Sequence, residues 1–185
     1  MSFVHPSWLS GLLFYILIIL GPFLVFMGLV VYGWIKENDK VFVIGVVCGI
    51  VALLICVPGS FVAWHYAYEV PSVESKIVAV DSWQPRPGLD TQDGMMTIND
   101  ASELMLVTTD GEGFINEENF LFGKFDTRDI TNNMKPNGTY NITFFGWREG
   151  FNSGFPNILS INEVVDDSHA VNKSAESYFG TKLMN

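Results

Sequence analysis

The chain has 185 residues, of which 49% are hydrophobic and only 16% are charged, whereas charged residues usually make up about a quarter of a soluble protein. Residues 69–185 carry 8 basic and 18 acidic residues, so the formal net charge of -10 belongs entirely to this part. Such an acidic chain lacks the basic surface with which nucleic-acid-binding proteins neutralise phosphates. Composition therefore excludes a nucleic-acid partner and indicates a membrane protein with a small soluble part.

Two apolar stretches without a charged residue occupy positions 9–32 and 41–63, with 24 and 23 residues. As helices they would each reach about 35 Å, enough to cross ~30 Å of hydrocarbon. Trp8, Trp34 and Trp64 flank them, as is typical of the membrane–water interface. No basic residue precedes the first stretch, which argues against a cleaved signal peptide. The sequence predicts a two-helix transmembrane hairpin over residues 1–68.

The short loop between the two stretches sets the expected orientation. It contains Lys36 and Lys40, and basic loops are held on the cytoplasmic side. We therefore predict an integral protein of a bacterial-type cytoplasmic membrane, with both termini and the soluble part on the periplasmic side. The lipid bilayer is its first expected partner.

Glycines within the two stretches indicate where helices come close together. Gly45 and Gly49 form a small-xxx-small face on the second helix, and Gly21 and Gly28 punctuate the first. Packing of the hairpin on itself is favoured over docking onto helices of another protein. Neither stretch contains Asp, Glu, Lys or Arg, so the residues that mark ion or proton pathways are absent from them.

The soluble part reads as short strands separated by Gly, Pro, Asn and Asp. The predicted strands are Lys76–Val80, Met95–Ile98, Leu104–Thr108, Tyr140–Trp147 and Ile158–Val165. Five strands in about 90 residues suit a small all-β domain over residues 69–165, for which we predict a five-stranded OB-like barrel. Residues 166–185 are polar and without periodicity, and they predict a flexible tail.

A less regular stretch lies between the third and fourth predicted strands. Its aromatic residues are predicted to fill the core, namely Phe114, Phe120, Phe122 and Phe125. Asp126–Ile130 is predicted to form a short helical turn.

Two short motifs in this region resemble those of an uncharacterised bacterial family. They are Lys124-Phe125-Asp126 and the stretch that begins with Gly146-Trp147-Arg148 and ends with Pro156-Asn157. Members of that family are short membrane-anchored proteins known only as a domain of unknown function, and the resemblance covers residues 76–165. The chain departs from the family in having two spans and in Glu149-Gly150. The resemblance implies an anchored extracytoplasmic domain and transfers no catalytic residue.

The second motif supplies the candidate binding residues. Gly146, Gly150 and Gly154 with Pro156 indicate a shaped loop that needs unusual backbone angles. Arg148 either braces this loop or stacks on an aromatic ring and presents its guanidinium to a partner, and the bracing role is favoured. The predicted partner-binding residues are Trp147, Arg148, Phe151, Phe155 and Asn157.

Catalysis and cofactor binding find little support in the sequence. The chain has three histidines, and its carboxylates lie mostly in turns, where Asp bonds its own backbone. His5 and His65 would lie on the same side of the membrane, where two imidazoles can hold a haem or a copper. A place among lipid headgroups is favoured for them. We predict no cofactor, no resident metal and no enzymatic activity.

These observations predict a non-catalytic accessory or scaffolding subunit of a larger membrane complex. Its helices would pack beside other integral membrane subunits, and its barrel would cap the outer face of the complex. The alternative is a free-standing envelope protein that binds a sugar, a peptide or a lipid headgroup through the loop after Gly146. A third hypothesis is a haem- or metal-binding electron-transfer subunit that uses His5 and His65.

Overall fold

The computed structural model describes residues 6–86, 95–148, 154–173, 177–179 and 182–184. It divides into two compact units, Met1–Pro71 and Ser72–Asn185. The boundary lies three residues beyond the one predicted after residue 68. The second unit is called the β domain below.

Two long apolar helical stretches, separated by a short loop, form the first unit. Helix α1 (Trp8–Tyr15), a π-helical turn (Ile16–Leu20) and α2 (Gly21–Ile35) follow one another without interruption, and α3 (Asp39–Trp64) continues through a π-helical turn (His65–Glu69) and a 3-10 turn (Val70–Ser72). Both stretches, Leu9–Ile35 and Asp39–Ser72, are long and apolar enough to cross a membrane. They exceed the predicted spans 9–32 and 41–63 because the helices continue into the flanking polar and aromatic residues.

The loop between the helices is closed by local hydrogen bonds. The Asn38 side chain accepts from the Val41 N–H at 3.2 Å and caps α3, while the Asn38 N–H donates to the Gly33 carbonyl at 2.8 Å. A π-helical turn, Ile16–Leu20, directly precedes Gly21-Pro22, where proline has no N–H for the helical ladder. Pro58 lies inside α3, which continues past it.

Glycines set the contact between α2 and α3. A Cβ built on Gly33 would lie 2.5 Å from the Phe42 backbone nitrogen, and one on Gly45 would lie 2.8 Å from the Val30 nitrogen. On Gly49 it would meet the Phe26 Cβ at 3.5 Å. Gly33, Gly45 and Gly49 therefore pack within the hairpin. Gly21 and Gly28 do not, since no described atom outside their own helix lies within 4 Å of such a Cβ on either.

Five strands of the β domain form one mixed sheet. They are β1 (Glu74–Pro85), β3 (Leu104–Thr108), β4 (Gly113–Ile115), β5 (Thr139–Phe145) and β6 (Asn157–Asp166). The order is β1-β3-β4-β6-β5, and β5 pairs with β1 again, so the pairing closes on itself. All pairs are antiparallel except β4 and β6, which pair in parallel at Ile115 and Asn157. Helix α4 (Thr127–Asn133) lies between β4 and β5 in the chain.

Strand β1 is much longer than the predicted Lys76–Val80 because it serves two neighbours. Its first half, Glu74–Ala79, pairs with β5, and its second half pairs with β3. The register shifts between Val80 and Ser82, and a bulge of this kind bends a strand from one partner to the next. The polar residues of the second half hid it from the sequence pattern.

One predicted strand of the β domain pairs outside the five-stranded sheet, and the segment predicted as a tail contains a strand. The predicted strand Met95–Ile98 appears as β2 (Met95–Thr97), but it pairs with β7 (Lys182–Met184) and not with the five-stranded sheet, where β4 takes its place. The segment predicted as a flexible tail, 166–185, contains β7, which forms a ladder with β2, and its flexibility stays a prediction. Tyr178 and Phe179 pack against the core.

The core of the β domain is apolar and lies inside the closed sheet and under α4. Its fully buried members include Val80, Leu104, Leu106, Ile142 and Ile158. Trp83 is also buried, and its indole N–H donates to the Met134 carbonyl just after α4 at 2.8 Å. Phe114 is buried as predicted, but Phe120 and Phe125 are 83% and 61% exposed, so their assignment to the core is wrong. Phe120 lies in the turn at residues 120–123, and Phe125 follows this turn.

Candidate functional site

The predicted binding loop begins where β5 ends. Gly146 has a φ of +83°, a conformation that side chains with a Cβ rarely adopt, so the strand cannot continue. The Gly146 N–H donates to the buried Ser72 hydroxyl at 2.8 Å. The first residue of the β domain therefore fixes the start of this loop.

Arg148 and Phe155 meet across the loop. The guanidinium carbon of Arg148 lies 3.9 Å above the Phe155 ring, and its Nη1 donates to the Gly154 carbonyl at 2.9 Å. Phe155 in turn packs on Gly113, where an added Cβ would lie 2.9 Å from its ring. Arg148 thus holds the loop together by stacking and by a backbone hydrogen bond. Phe151 falls outside the described residues, so its predicted role stays a prediction.

Asn157 occupies a different place from the other predicted binding residues. It lies in the interior, where its Oδ1 accepts from the Glu117 N–H at 3.0 Å and from the Lys124 ammonium at 3.1 Å. Its Nδ2 donates to the Glu117 carbonyl at 3.1 Å. All of these bonds lie within the β domain, so Asn157 links the start of β6 to Glu117 and Lys124, and its predicted role in partner binding stays a prediction.

A buried polar cluster surrounds the Lys124 side chain, which belongs to the first motif but was not predicted to be buried or to form a site. Lys124 is 4% exposed, and its ammonium donates to Asn116 Oδ1 at 2.7 Å as well as to Asn157. Asn116 also bonds α4, because its Nδ2 donates to the Thr127 carbonyl at 2.7 Å and to the Thr131 hydroxyl at 2.9 Å. We call Lys124, Asn116, Asn157 and Thr131 the Lys124 network.

The fold brings the members of the Lys124 network together from distant positions. Asn116 directly follows β4, Asn157 begins β6, and these two strands are the parallel pair of the sheet. Thr131 comes from α4. A lysine is normally expected at the surface. The only sequence signal for a buried cation is the asparagine at the end of each strand, Asn116 after β4 and Asn157 at the start of β6. The network joins the parallel pair to α4.

Burial lowers the pKa of Lys124 from its ordinary value of 10.5 to about 8. Between these two values the unfolded chain keeps a proton that the folded chain has released, so stability rises with pH. We expect this group to add about 1.5 kcal/mol to the free energy of unfolding of the β domain between pH 8 and 9.5. Tyr140 and Tyr178, whose pKa values burial raises, stay neutral in this range.

Urea unfolding of the full chain in mild detergent, followed by pulse proteolysis, measures this slope. The Lys124→Met variant lacks the titrating group and should show no gain of this size over the same range. An equal slope in the wild type and in Lys124→Met would contradict a buried, partly deprotonated Lys124.

Next to the Lys124 network, residues 119–125 form a short turn that we call the Phe120 loop. The Asn119 and Lys124 backbones exchange two hydrogen bonds, at 3.0 and 2.9 Å, and the Gly123 N–H donates to the Phe120 carbonyl at 3.1 Å. Gly123 has a φ of +66°, which suits glycine. The Phe122 ring packs on Phe145, with ring centroids 4.5 Å apart. The loop is thus fixed at its base while Phe120 remains exposed.

Only one of the two histidines proposed for a cofactor lies in the described part of the chain. His65 is buried, with its Nδ1 2.9 Å from Glu69 Oε2, and His5 falls outside the described residues. A cofactor held by both histidines therefore stays a prediction. Among the described residues, no group of three or more His, Cys, Asp or Glu side chains is arranged to hold a metal ion.

Comparison of the chain with protein-family models, with curated proteins and with solved structures finds no match. The resemblance to the uncharacterised bacterial family therefore stays a prediction. Its two motifs nevertheless meet in space, because Lys124 of the first donates to Asn157 of the second.

Proposed function

We propose that the chain is a non-catalytic accessory subunit of a larger membrane complex, with α2 packing beside a helix of another integral membrane subunit. The observation that carries this proposal is a regular strip of residues, along α2 and the π-helical turn before it, that the hairpin does not use. It consists of Leu17, Gly21, Leu24, Gly28, Val31 and Ile35, and we call it the Gly28 seam.

The Gly28 seam has the spacing of a helix–helix contact. Its members follow one another at intervals of four and three residues, the repeat of coiled-coil contact positions. Gly28 is two residues from both Phe26 and Val30, which pack against α3, so at about 100° per residue it lies on the far side of α2. Leu17 and Ile35, towards the two ends of the seam, are 71% and 70% exposed.

Small residues at such a seam allow two helix backbones to come close together in a membrane. Gly21 and Gly28 have open space around them, whereas Gly33, Gly45 and Gly49 already take part in the contact between α2 and α3. Two glycines on one open strip of the first apolar stretch support a partner helix there, because small residues are enriched where membrane helices meet. A partner helix at this seam accounts for them.

The proposal includes the fold type and the side of the membrane. We propose that the β domain is an OB-like barrel, supported by the strand order with its closing β1–β5 pair, by the parallel β4–β6 pair and by α4 between β4 and β5. Lys36 and Lys40 favour a cytoplasmic loop, with both termini and the β domain on the periplasmic side of a bacterial-type membrane. The barrel would then cap the outer face of the complex.

Substitution of Gly28 tests the seam. We expect Gly28→Leu to reduce recovery of the partner subunit at least tenfold when the tagged chain is extracted in mild detergent, because a leucine there blocks close approach of the partner backbone. The hairpin itself should be unaffected, since the Gly28 position is open in it. Partner recovery is measured by quantitative mass spectrometry of the eluate.

Gly59→Leu is the matched control, because Gly59 also has open space around it but lies on α3. It should retain the partner at the wild-type level. Equal recovery with Gly28→Leu and Gly59→Leu would remove the seam as the site of association.

A further inference from the structure

The Phe120 loop presents exposed aromatic rings that nothing in the described part of the β domain covers. Phe120 is 83% exposed and Phe125 is 61% exposed, and their ring centroids lie 6.5 Å apart in an edge-to-face arrangement. Leu121 between them is also exposed. Exposed apolar groups that form a single patch are typical of interaction sites.

The loop holds these rings in place before any partner arrives. Its base is a two-bond backbone pair between Asn119 and Lys124, and the Asn119 side chain accepts from the Phe122 N–H at 3.1 Å. The Lys124 side chain is fixed in its buried network, directly beside Phe125 in the chain. A rigid loop loses little conformational freedom on binding, which favours its use as an anchor.

Acidic side chains flank the Phe120 loop in the chain and line the surface beside Phe125. Glu118 precedes the loop, Asp126 and Asp129 follow it, and all three are exposed. One shallow depression is lined by these three carboxylates together with Asp100, Phe125 and Arg128. The β domain is acidic as a whole. An anionic lipid surface would be repelled by this rim, whereas a basic protein surface would be attracted.

We propose that the Phe120 loop inserts into an apolar pocket, rimmed by Lys or Arg, on a partner subunit of the same membrane complex. Phe120 and Phe125 are the anchors, and the carboxylates of Glu118, Asp126 and Asp129 pair with the basic rim. This inference rests on the proposed accessory-subunit function, and it adds a second contact outside the hairpin.

Photo-cross-linking in native membranes tests the contact with the full chain. A benzophenone amino acid is placed at Phe120 in one variant and at Leu24 of the Gly28 seam in another. We expect the probe at position 120 to cross-link a subunit that copurifies in fixed proportion with the wild-type chain. Phe125→Ser should lower the yield about tenfold or more, while Val165→Ser, a change at an exposed apolar residue of β6, should not.

Neutralising the three carboxylates beside the Phe120 loop tests whether the partner that contacts it is a basic protein pocket. Combining Glu118→Gln, Asp126→Asn and Asp129→Asn should lower the yield at position 120 about five- to tenfold, and Glu163→Gln on β6 should leave it unchanged. A probe at position 120 that labels only lipid would overturn the proposal, as would a protein cross-link indifferent to the loss of the three charges.

The two probes distinguish failure of this inference from failure of the proposed function. A cross-link from Leu24 without one from position 120 would remove the Phe120 loop contact and leave the helix contact in place. The absence of a protein cross-link from both positions would overturn both.

Discussion

Replacing Asn116 by leucine is expected to lower the free energy of unfolding of the β domain by about 3 kcal/mol at pH 7. Asn116 is completely buried and accepts from the Lys124 ammonium at 2.7 Å. Leucine has the same number of side-chain heavy atoms and the same branching but no acceptor, so the buried cation keeps only Asn157 of its two amide partners. The Thr127 carbonyl and the Thr131 hydroxyl also lose the Asn116 donor. Urea unfolding of the full chain in mild detergent, followed by pulse proteolysis, gives the value.

The reason for this expected loss can be separated from a general effect of the substitution. Adding Lys124→Met to Asn116→Leu removes the unpaired cation and should restore at least 1 kcal/mol, because two apolar groups can replace a buried polar pair. Asn172→Leu, the same change at an exposed asparagine outside the Lys124 network, should alter stability by less than about 0.5 kcal/mol. A double variant less stable than Asn116→Leu alone would show that Lys124 supports the fold by some means other than this pairing.

Replacing Gly33 by leucine is expected to separate α2 from α3 near the loop and to destabilise the hairpin by about 3 kcal/mol. A Cβ at this position would lie 2.5 Å from the backbone nitrogen of Phe42 and 2.8 Å from its Cα. These are backbone atoms, so no change of rotamer relieves the overlap, and the helices have to move apart. Gly33 also accepts the hydrogen bond from the Asn38 N–H that closes the loop.

Spin labels on the two helices measure this separation. With Cys48 and Cys56 replaced by alanine, labels at Leu29→Cys and Val46→Cys should show strong dipolar broadening in the parent chain. The broadening should decrease in Gly33→Leu and persist in Gly28→Leu, because Gly28 lies in open space on the opposite side of α2. Unchanged broadening in Gly33→Leu would contradict the close contact at the loop.

The two apolar helices were predictable because hydropathy is a local property of the chain. Their lengths were underestimated, since α3 continues through His65–Glu69 to Ser72, where aromatic and polar residues replace the apolar run. The roles of the glycines were predictable only in part. Spacing singled out Gly45 and Gly49 on one helix and Gly21 and Gly28 on the other. Only the contacts show that Gly45 and Gly49 pack between α2 and α3 and that Gly21 and Gly28 do not.

The β domain was predictable where strands alternate and not where pairing is non-local. Strand β6 was located almost to its ends, whereas the three residues of β4 are too few to give a pattern. Strand β7 lies in a polar segment and owes its conformation to β2, far away in the sequence. The burial of Phe120 and Lys124 is the reverse of what their chemistry suggests, because the Phe120 ring is exposed to solvent and the Lys124 amine is buried in the core. Hydropathy alone would predict a buried Phe120 and an exposed Lys124.

The exposed Phe120 and the buried Lys124 connect the fold with the proposed function. The Lys124 network holds the base of the Phe120 loop, so stability of the core and presentation of the two exposed rings depend on the same side chains. A loss of contact in the charge variants is therefore interpretable only when their unfolding free energy equals that of the wild type.

The most direct measurement of the central claim is the size and composition of the assembly that contains this chain. The tagged protein is extracted from its native membrane in mild detergent and separated on a native gel, and the band is analysed by mass spectrometry. An accessory subunit predicts a large band in which other integral membrane proteins accompany this chain in fixed proportion. A band of the chain alone, at several mild detergent concentrations, would contradict the claim.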